Sequence, residues 1–123
     1  MVCLGIRGAT SVDVNDAGAI LTATRTLLEQ IVSANNVSVE GVASVIFTVT
    51  PDLNATYPAR AAREMGWVNT PLLCMQDVAV EDGLPRCIRV LIHWNTDLAP
   101  ERIRHVYLGD ARALRPDLVE EEK

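Results

Sequence analysis

TPLLCMQDVAVEDGLPRCIRVLIHW, residues Thr70–Trp94, is the stretch that decides the fold of this chain. Its apolar and β-branched runs predict two strands, Thr70–Met75 and Arg86–Trp94. The loop between them, Asp77–Pro85, is acidic and contains glycine and proline, which are typical of turns. We therefore expect two strands joined by a polar loop, with the other elements packed around them.

The second strand carries a charged residue in its middle. Because side chains alternate along a strand, Cys87, Arg89, Leu91 and His93 share one face. A guanidinium stays protonated and is rarely buried without a partner, and Asp77, at the end of the preceding strand, is the candidate partner. Two interpretations follow from these residues: a structural Asp–Arg pair that closes a hairpin, or a pocket in which Arg89 presents a donor to a ligand oxygen.

Composition places the chain among small globular proteins. With 123 residues and 49% hydrophobic residues it can form one core, which we expect over residues 1–116, with an acidic, mobile tail over 117–123. The net charge of −5 argues against nucleic-acid binding. Three cysteines without CxxC spacing predict neither a zinc site nor disulfides and suit a reducing, cytoplasmic compartment. No apolar run is long enough for a membrane span, and no signal peptide is evident.

The remaining elements follow from periodicity. Helical spacing of apolar residues predicts a long helix over Asp16–Asn35, capped by Asp13 or Asn15 and ended by Asn35-Asn36. Together the patterns predict an α+β fold, in which a mixed five-stranded sheet is packed by one long and one short helix. The other expected elements are strands at Val2–Arg7, Ala43–Val49 and Val106–Leu108 and a short helix at Pro58–Met65. One sheet face stays incompletely covered, which makes association with further copies the natural remedy.

Arginines stand at several strand ends and on the short helix. If Arg7, Arg60, Arg63, Arg89 and Arg115 converge, their site suits a compact dianion such as a dicarboxylate. Alternatively, Arg60 and Arg63 simply face solvent. No phosphate loop, metal site or cofactor motif is present, and Cys74 with His93 is a weak candidate for a nucleophile and base. The pattern favours a binding protein or an enzyme that works by positioning and electrostatics.

Seven short motifs occur in a specific order, and together they resemble one family. The motifs are GIRGAT at Gly5–Thr10, TPDL at Thr50–Leu53, PARAARE at Pro58–Glu64, CMQ at Cys74–Gln76, CIRV at Cys87–Val90, RHVYL at Arg104–Leu108 and LRPDL at Leu114–Leu118. Over nearly its full length the chain closely resembles the monofunctional, trimeric α/β class of chorismate mutase. The resemblance implies a trimeric pseudo-α/β-barrel with active sites in clefts between subunits, and no cofactor.

The implied activity is the Claisen rearrangement of chorismate to prephenate, a step toward phenylalanine and tyrosine. By position, Arg89 would donate to the ether oxygen, and Arg7 would hold a substrate carboxylate with Tyr107 beside it. Arg63 and Arg115 would strengthen the positive field, and Leu114 would close the site. A neighbouring subunit would supply a wall formed by Tyr57, Ala59, Arg60, Leu72, Leu73 and Cys74.

The chain departs from the family pattern at its central acid. The usual residue after Cys-Met-Gln is glutamate, which accepts a hydrogen bond from the substrate hydroxyl and steadies the arginine, whereas this chain has Asp77. The loss of one methylene retracts the carboxylate by about 1.5 Å. Tyr57 and Arg60 differ conservatively from the more common Phe and Lys. Two rivals stay open: a non-catalytic dicarboxylate-binding or regulatory module, and the enamine/imine deaminases, whose trimers have a similar architecture.

Overall fold

The computed structural model describes residues 1–114, so Arg115 and the expected acidic tail at 117–123 lie outside the described residues. The described part contains five strands and two helices. In order they are β1 (Val2–Ser11), α1 (Ala17–Asn35), β2 (Val42–Val49), α2 (Ala59–Glu64), β3 (Leu72–Gln76), β4 (Cys87–Thr96) and β5 (Val106–Tyr107). Short 3₁₀ turns at Val39–Gly41, Pro100–Arg102 and Gly109–Ala113 complete the described part.

The strands form one mixed sheet in the order β3-β2-β4-β1-β5. β4 runs antiparallel to both β1 and β2, whereas β3 lies parallel to β2 and β5 lies parallel to β1. The expected five-stranded mixed sheet with one long and one short helix is therefore confirmed. The hairpin interpretation of residues 70–94 is wrong, because the apolar strand β2 lies between β3 and β4 and pairs with both.

The long helix begins and ends through side chains and backbone angles that suit helix termini. Asp16 is the N-cap, and its carboxylate accepts a hydrogen bond from the Ala19 backbone N–H at 3.0 Å. The expected cap at Asp13 or Asn15 is therefore wrong by at least one residue. Asn36 adopts the left-handed conformation with φ 55°, which confirms the predicted stop.

Several strand bounds differ from the sequence prediction: β2 begins at Val42, β3 spans Leu72–Gln76, β4 ends at Thr96 and β5 ends at Tyr107.

Two further differences have a visible cause. β1 runs to Ser11 instead of stopping before Gly8, because its last residues pair with the first residues of β4, as in the register of Ser11 with Cys87. β4 begins at Cys87, one residue late, because Arg86 has φ 46° and cannot continue an extended strand. Cross-strand pairing and one backbone angle, neither visible in local composition, move these boundaries.

The helices cover one face of the sheet and build the main core there. Ile6, Phe47 and Ile92 point to this face and are fully buried, and they pack with Leu27 and Ile31 from α1 in one apolar cluster. Gly8 allows close packing of α1, since a Cβ there would stand 2.7 Å from Ile31 Cδ1. The helix-covered face therefore holds the sheet together.

The opposite face, which we call the open face, carries no helix. It presents the alternate side chains of the same strands, and it leaves Leu73 and Met75 exposed by 55% and 45%. Arg89, the third residue of β4, lies on this face, as the alternation along the strand predicts. Among residues 1–114, no helix is long and apolar enough to cross a membrane.

Candidate active site

The open face contains the ion pair that the sequence predicts. Arg89 Nε lies 3.1 Å from Asp77 Oδ2, and Asp77 follows directly after β3. The other carboxylate oxygen of Asp77 accepts a hydrogen bond from the Val78 backbone N–H at 2.9 Å. The Arg89 side chain is 51% exposed and that of Asp77 is 20% exposed. The contact engages Nε, and a guanidinium carries four further N–H donors, so the pair can hold Arg89 in place while it binds an oxygen of a ligand.

A cavity of about 350 Å³ opens over this pair. It joins Arg7, Asp77, Arg89 and Tyr107, which the sequence places in the site. Two arginines face one carboxylate here, so the described lining carries a net positive charge and suits a dianion. The full lining consists of Arg7, Gly8, Ala9, Ile46, Thr48, Met75, Asp77, Arg89, Val90, Leu91 and Tyr107.

Tyr107 is more buried than a purely ligand-facing tyrosine would be. Only 8% of the residue is exposed, and its ring packs with Ala9, Cys87 and Ala111 in a small second core. Leu114, the last described residue, packs against the same cluster. This packing fixes the ring beside the cavity, which is a role that the sequence pattern does not indicate.

A second depression, of about 420 Å³, shares Asp77 and Arg89 with the first. Leu114 lines it together with part of the β3–β4 loop, so Leu114 lies close to the pair, as expected. Its full lining consists of Thr50, Pro51, Asp52, Asp77, Val78, Ala79, Val80, Gly83, Leu84, Pro85, Cys87, Arg89 and Leu114.

The residues expected to form a wall lie elsewhere in the chain. Tyr57, with 70% of its surface exposed, and Cys74 line a separate cavity of about 540 Å³. Arg60 pairs with Glu64 on α2, with Nε and Oε2 3.0 Å apart. None of Tyr57, Cys74 or Arg60 lines the Arg89 cavity of the same described chain.

The other expected wall residues, and Arg63 of the expected positive field, are also separate from the pair. Ala59 is buried and Leu72 packs against the main core, whereas Leu73 is exposed on the open face. The positive charge of Arg63 acts to lower the pKa of the Cys74 thiol, which places Arg63 near Cys74. None of these four lines the Arg89 cavity. The described chain therefore brings Arg7, Asp77, Arg89 and Tyr107 together at one cavity, whereas the expected wall residues and Arg63 lie away from it.

The structure does not pair Cys74 with His93. Cys74 packs toward the helix-covered core, whereas His93 Nδ1 lies 3.1 Å from Ser44 Oγ on the neighbouring strand. Burial raises the pKa of the Cys74 thiol and likewise that of Cys87, so both stay protonated and poorly nucleophilic near neutral pH. No group of three or more His, Cys, Asp or Glu side chains that could hold a metal occurs within residues 1–114.

Comparison with known proteins identifies the family of this chain. The sequence profile of the family described as chorismate mutase type I matches residues 3–118. The chain belongs to this chorismate mutase family. Chorismate mutase AroH of Thermus thermophilus is 52% identical over 115 residues, which cover 93% of this chain and 94% of the relative.

Two further relatives agree with this family. Chorismate mutase AroH of Bacillus subtilis (strain 168) is 45% identical over 119 residues, covering 96% of this chain and 94% of the relative. A solved structure, described as chorismate mutase from Clostridium thermocellum, is 46% identical and superposes with a TM-score of 0.87. That match covers 89% of this chain and 97% of the other, so the fold is that of a chorismate mutase over nearly its whole length.

Two groups of residues near the chorismate mutase site escape sequence reasoning. The Arg7 backbone N–H donates to His105 Nδ1 at 2.9 Å, across 98 positions of sequence. Asp52 accepts from the Arg86 backbone N–H through both carboxylate oxygens, at 3.1 and 3.0 Å. His105 lies in the family motif RHVYL and Asp52 in TPDL, and these motifs are what could have pointed to the two residues in the sequence. Their partners are visible only in the folded chain.

Proposed function

We propose that this chain catalyses the rearrangement of chorismate to prephenate at the Arg89–Asp77 pair, by positioning and electrostatics. The activity follows from membership in the chorismate mutase family. The observation that supports the residue assignment is the Arg89–Asp77 contact over a cavity that Arg7 and Tyr107 also line. The same arrangement explains why the site needs neither a nucleophile nor a cofactor.

The reaction itself demands little covalent chemistry. The ether C–O bond breaks while a new C–C bond forms in one cyclic movement of electrons, and no proton is exchanged. Negative charge develops on the ether oxygen as its bond to carbon lengthens, and Arg89 donates to that oxygen. One preorganised donor aimed at a developing charge contributes roughly 3–4 kcal/mol to the barrier reduction.

The remaining side chains hold the substrate in its compact, reactive form. Arg7 binds a carboxylate at the edge of the cavity, with Tyr107 beside it. Asp77 orients Arg89 and accepts a hydrogen bond from the substrate hydroxyl. Because the bound substrate is already held in this conformation, the conformational entropy is lost on binding and does not add to the barrier of the reaction step.

A neighbouring copy completes the site in a homotrimer. Tyr57, Arg60 and Cys74 are absent from the Arg89 cavity of their own chain, which is what a wall supplied by another subunit requires. Leu73 and Met75 give the open face exposed apolar surface suited to such a contact. Ala59, Leu72 and Leu73 belong to the same wall, Arg63 and Arg115 strengthen the positive field, and Leu114 closes the site.

A cytoplasmic location belongs to the same proposal. Cys3, Cys74 and Cys87 are free thiols, and free thiols are typical of a reducing compartment. The net charge of −5 gives no support to a nucleic-acid partner.

Arg89→Ala tests the assignment of the donor. We expect kcat for chorismate, followed by absorbance with prephenate confirmed as product, to fall by at least about a hundredfold to a thousandfold. The oligomer and the unfolding transition should change little, because the side chain is half exposed.

Arg25→Ala is the matched control, since Arg25 pairs with Glu29 along the exposed surface of α1. It should keep its activity. Full activity of Arg89→Ala with an intact fold would refute the donor role. A wild-type protein that binds a bicyclic dicarboxylate but does not turn over chorismate would instead favour the non-catalytic module.

A further inference from the structure

A four-residue segment at the end of β2 contacts both ends of the β3–β4 loop. We call Val49–Asp52 the clamp segment. The Asp77 backbone N–H donates to the Val49 carbonyl at 2.8 Å, where the loop begins. At the other end of the loop, the Thr50 N–H donates to the Cys87 carbonyl at 3.1 Å, and the Cys87 N–H donates to Thr50 Oγ1 at 2.9 Å. One short segment therefore holds both strand ends that carry the Arg89–Asp77 pair.

Asp52 binds the loop end at Arg86, where the backbone conformation is unfavourable. Arg86 has φ 46°, a conformation that non-glycine residues rarely adopt. Its backbone N–H donates to both carboxylate oxygens of Asp52, and Thr50 Oγ1 donates to Asp52 Oδ1 at 2.6 Å. Arg86 is also tied to Val12, whose N–H donates to the Arg86 carbonyl at 2.8 Å and whose carbonyl accepts from Arg86 Nε at 3.0 Å.

The geometry points to Asp52 as a positioning residue for the reaction, acting on Arg89 through Arg86 and the Thr50–Cys87 contacts. Arg89 lies two residues after Cys87 on the same face of β4. A shift where β4 begins therefore moves the guanidinium relative to Asp77, whose own backbone is held by the same segment. This inference rests on the proposed donor role of Arg89.

The charge state of Asp52 suits this task. The hydrogen bond from the Thr50 hydroxyl, more than any other contact, holds the pKa of the Asp52 carboxyl below its ordinary value. The group is therefore ionised throughout the neutral range and can accept from Thr50 and the Arg86 backbone together. An ionised acceptor makes the stronger hydrogen bonds of this kind.

The test compares Asp52→Ala and Asp52→Asn with a control in the same loop. Asp82 is exposed there and has φ 65°, which asparagine tolerates, so Asp82→Asn matches Asp52→Asn in chemistry. Because a misplacement of about 1 Å can cost on the order of a hundredfold in rate, we expect Asp52→Ala to lower kcat by roughly tenfold to a hundredfold, with KM changed less. Asp52→Asn should lose less, since its amide oxygen still accepts, and Asp82→Asn should match the wild type.

A double-mutant cycle separates positioning from a purely structural effect. If Asp52 acts through Arg89, adding Asp52→Ala to Arg89→Ala should lower kcat/KM by less than about threefold, far below its effect alone. Losses that simply multiply in the double variant would overturn the inference, as would wild-type kcat in folded Asp52→Asn and Asp52→Ala. If Asp52→Ala does not fold, the same cycle with Asp52→Asn decides. An Arg89→Ala variant with full activity would instead overturn the proposed function.

Discussion

The two faces of the sheet are formed by the same strands but carry different kinds of side chain. On the helix-covered face, Ile88 and Val90 are buried in the apolar cores. Between them in sequence, Arg89 points to the open face and is 51% exposed. Alternation along a single strand thus assigns stability to one side of the sheet and chemistry to the other.

This separation depends on the strand register. A slip of one residue in β4 would turn Arg89 into the core beside Ile6 and Phe47 of the neighbouring strands and expose the apolar side chains of β4. An unpaired charge in that core would be strongly unfavourable. The packing of the covered face therefore also fixes where the guanidinium of the open face lies, and each face can be perturbed separately to test how independent they are.

The largest effect is expected on the covered face, from Phe47→Ala. Phe47 is fully buried in the main core, and such truncations lower the free energy of unfolding by about 3–5 kcal/mol. Urea unfolding at one fixed protein concentration measures the loss. In the fraction that stays folded, kcat should stay within about threefold of the wild type. A folded Phe47→Ala protein with kcat as low as that of Arg89→Ala would contradict the separation of the two faces.

The open face should be completed by another subunit, which mixing two inactive variants can test. One variant is Arg89→Ala, and the other carries Arg60→Glu and Arg63→Glu, whose reversed charges repel a dianion. In a cyclic trimer each site joins a face of one subunit to a wall of the next. Random assembly of equal amounts by co-expression then restores about a quarter of the sites to wild-type composition.

The recovered activity is measured against each variant alone. We expect roughly a quarter of the wild-type kcat per subunit from the mixture, and close to none from either parent. Wild-type protein co-expressed with Arg25→Ala provides the control for the procedure. A mixture whose activity equals the average of its two parents would reject a site shared between subunits.

The smallest effect is expected at the rim of the open face, from His105→Ala. Nδ1 of His105 accepts the Arg7 backbone N–H, and the loss of one such bond is worth about 1 kcal/mol. We therefore expect KM for chorismate to rise roughly fivefold, with kcat changed little, because the role proposed for Arg7 is to bind a carboxylate and not to contact the breaking bond. Steady-state kinetics measure this, and an unchanged KM would show that His105 does not position Arg7.

Local patterns predict much of the fold and the central pair of the site. Alternation places Arg89 on the open face, and the helical stop at Asn36 follows from the backbone preference of asparagine. These two features depend on local pattern or on a single residue type, so the sequence alone contains them. Asp77, the candidate at the end of the preceding strand, is indeed the partner of Arg89, although the two strands are not adjacent in the sheet.

Other features depend on contacts between distant parts of the chain. The insertion of β2 between β3 and β4, the extension of β1 to Ser11 and the bond between Asp52 and Arg86 all arise from tertiary pairing. The roles proposed for Tyr57 and Cys74 rest on family resemblance, since no pattern of spacing indicates which side chains a neighbouring subunit would contribute. The single domain expected over residues 1–116 stays a prediction.

The position of β4 between β1 and β2 has a consequence for motion. Arg89 belongs to a strand hydrogen-bonded on both sides, and such central strands open only when most of the molecule unfolds. Asp77 follows β3, an edge strand bonded on one side to β2. Amide exchange should therefore be slow along β4 and faster at the end of β3. Because Asp77 lies at the end of an edge strand, we expect its contact with Arg89 to open more often than the hydrogen bonds of β4 do.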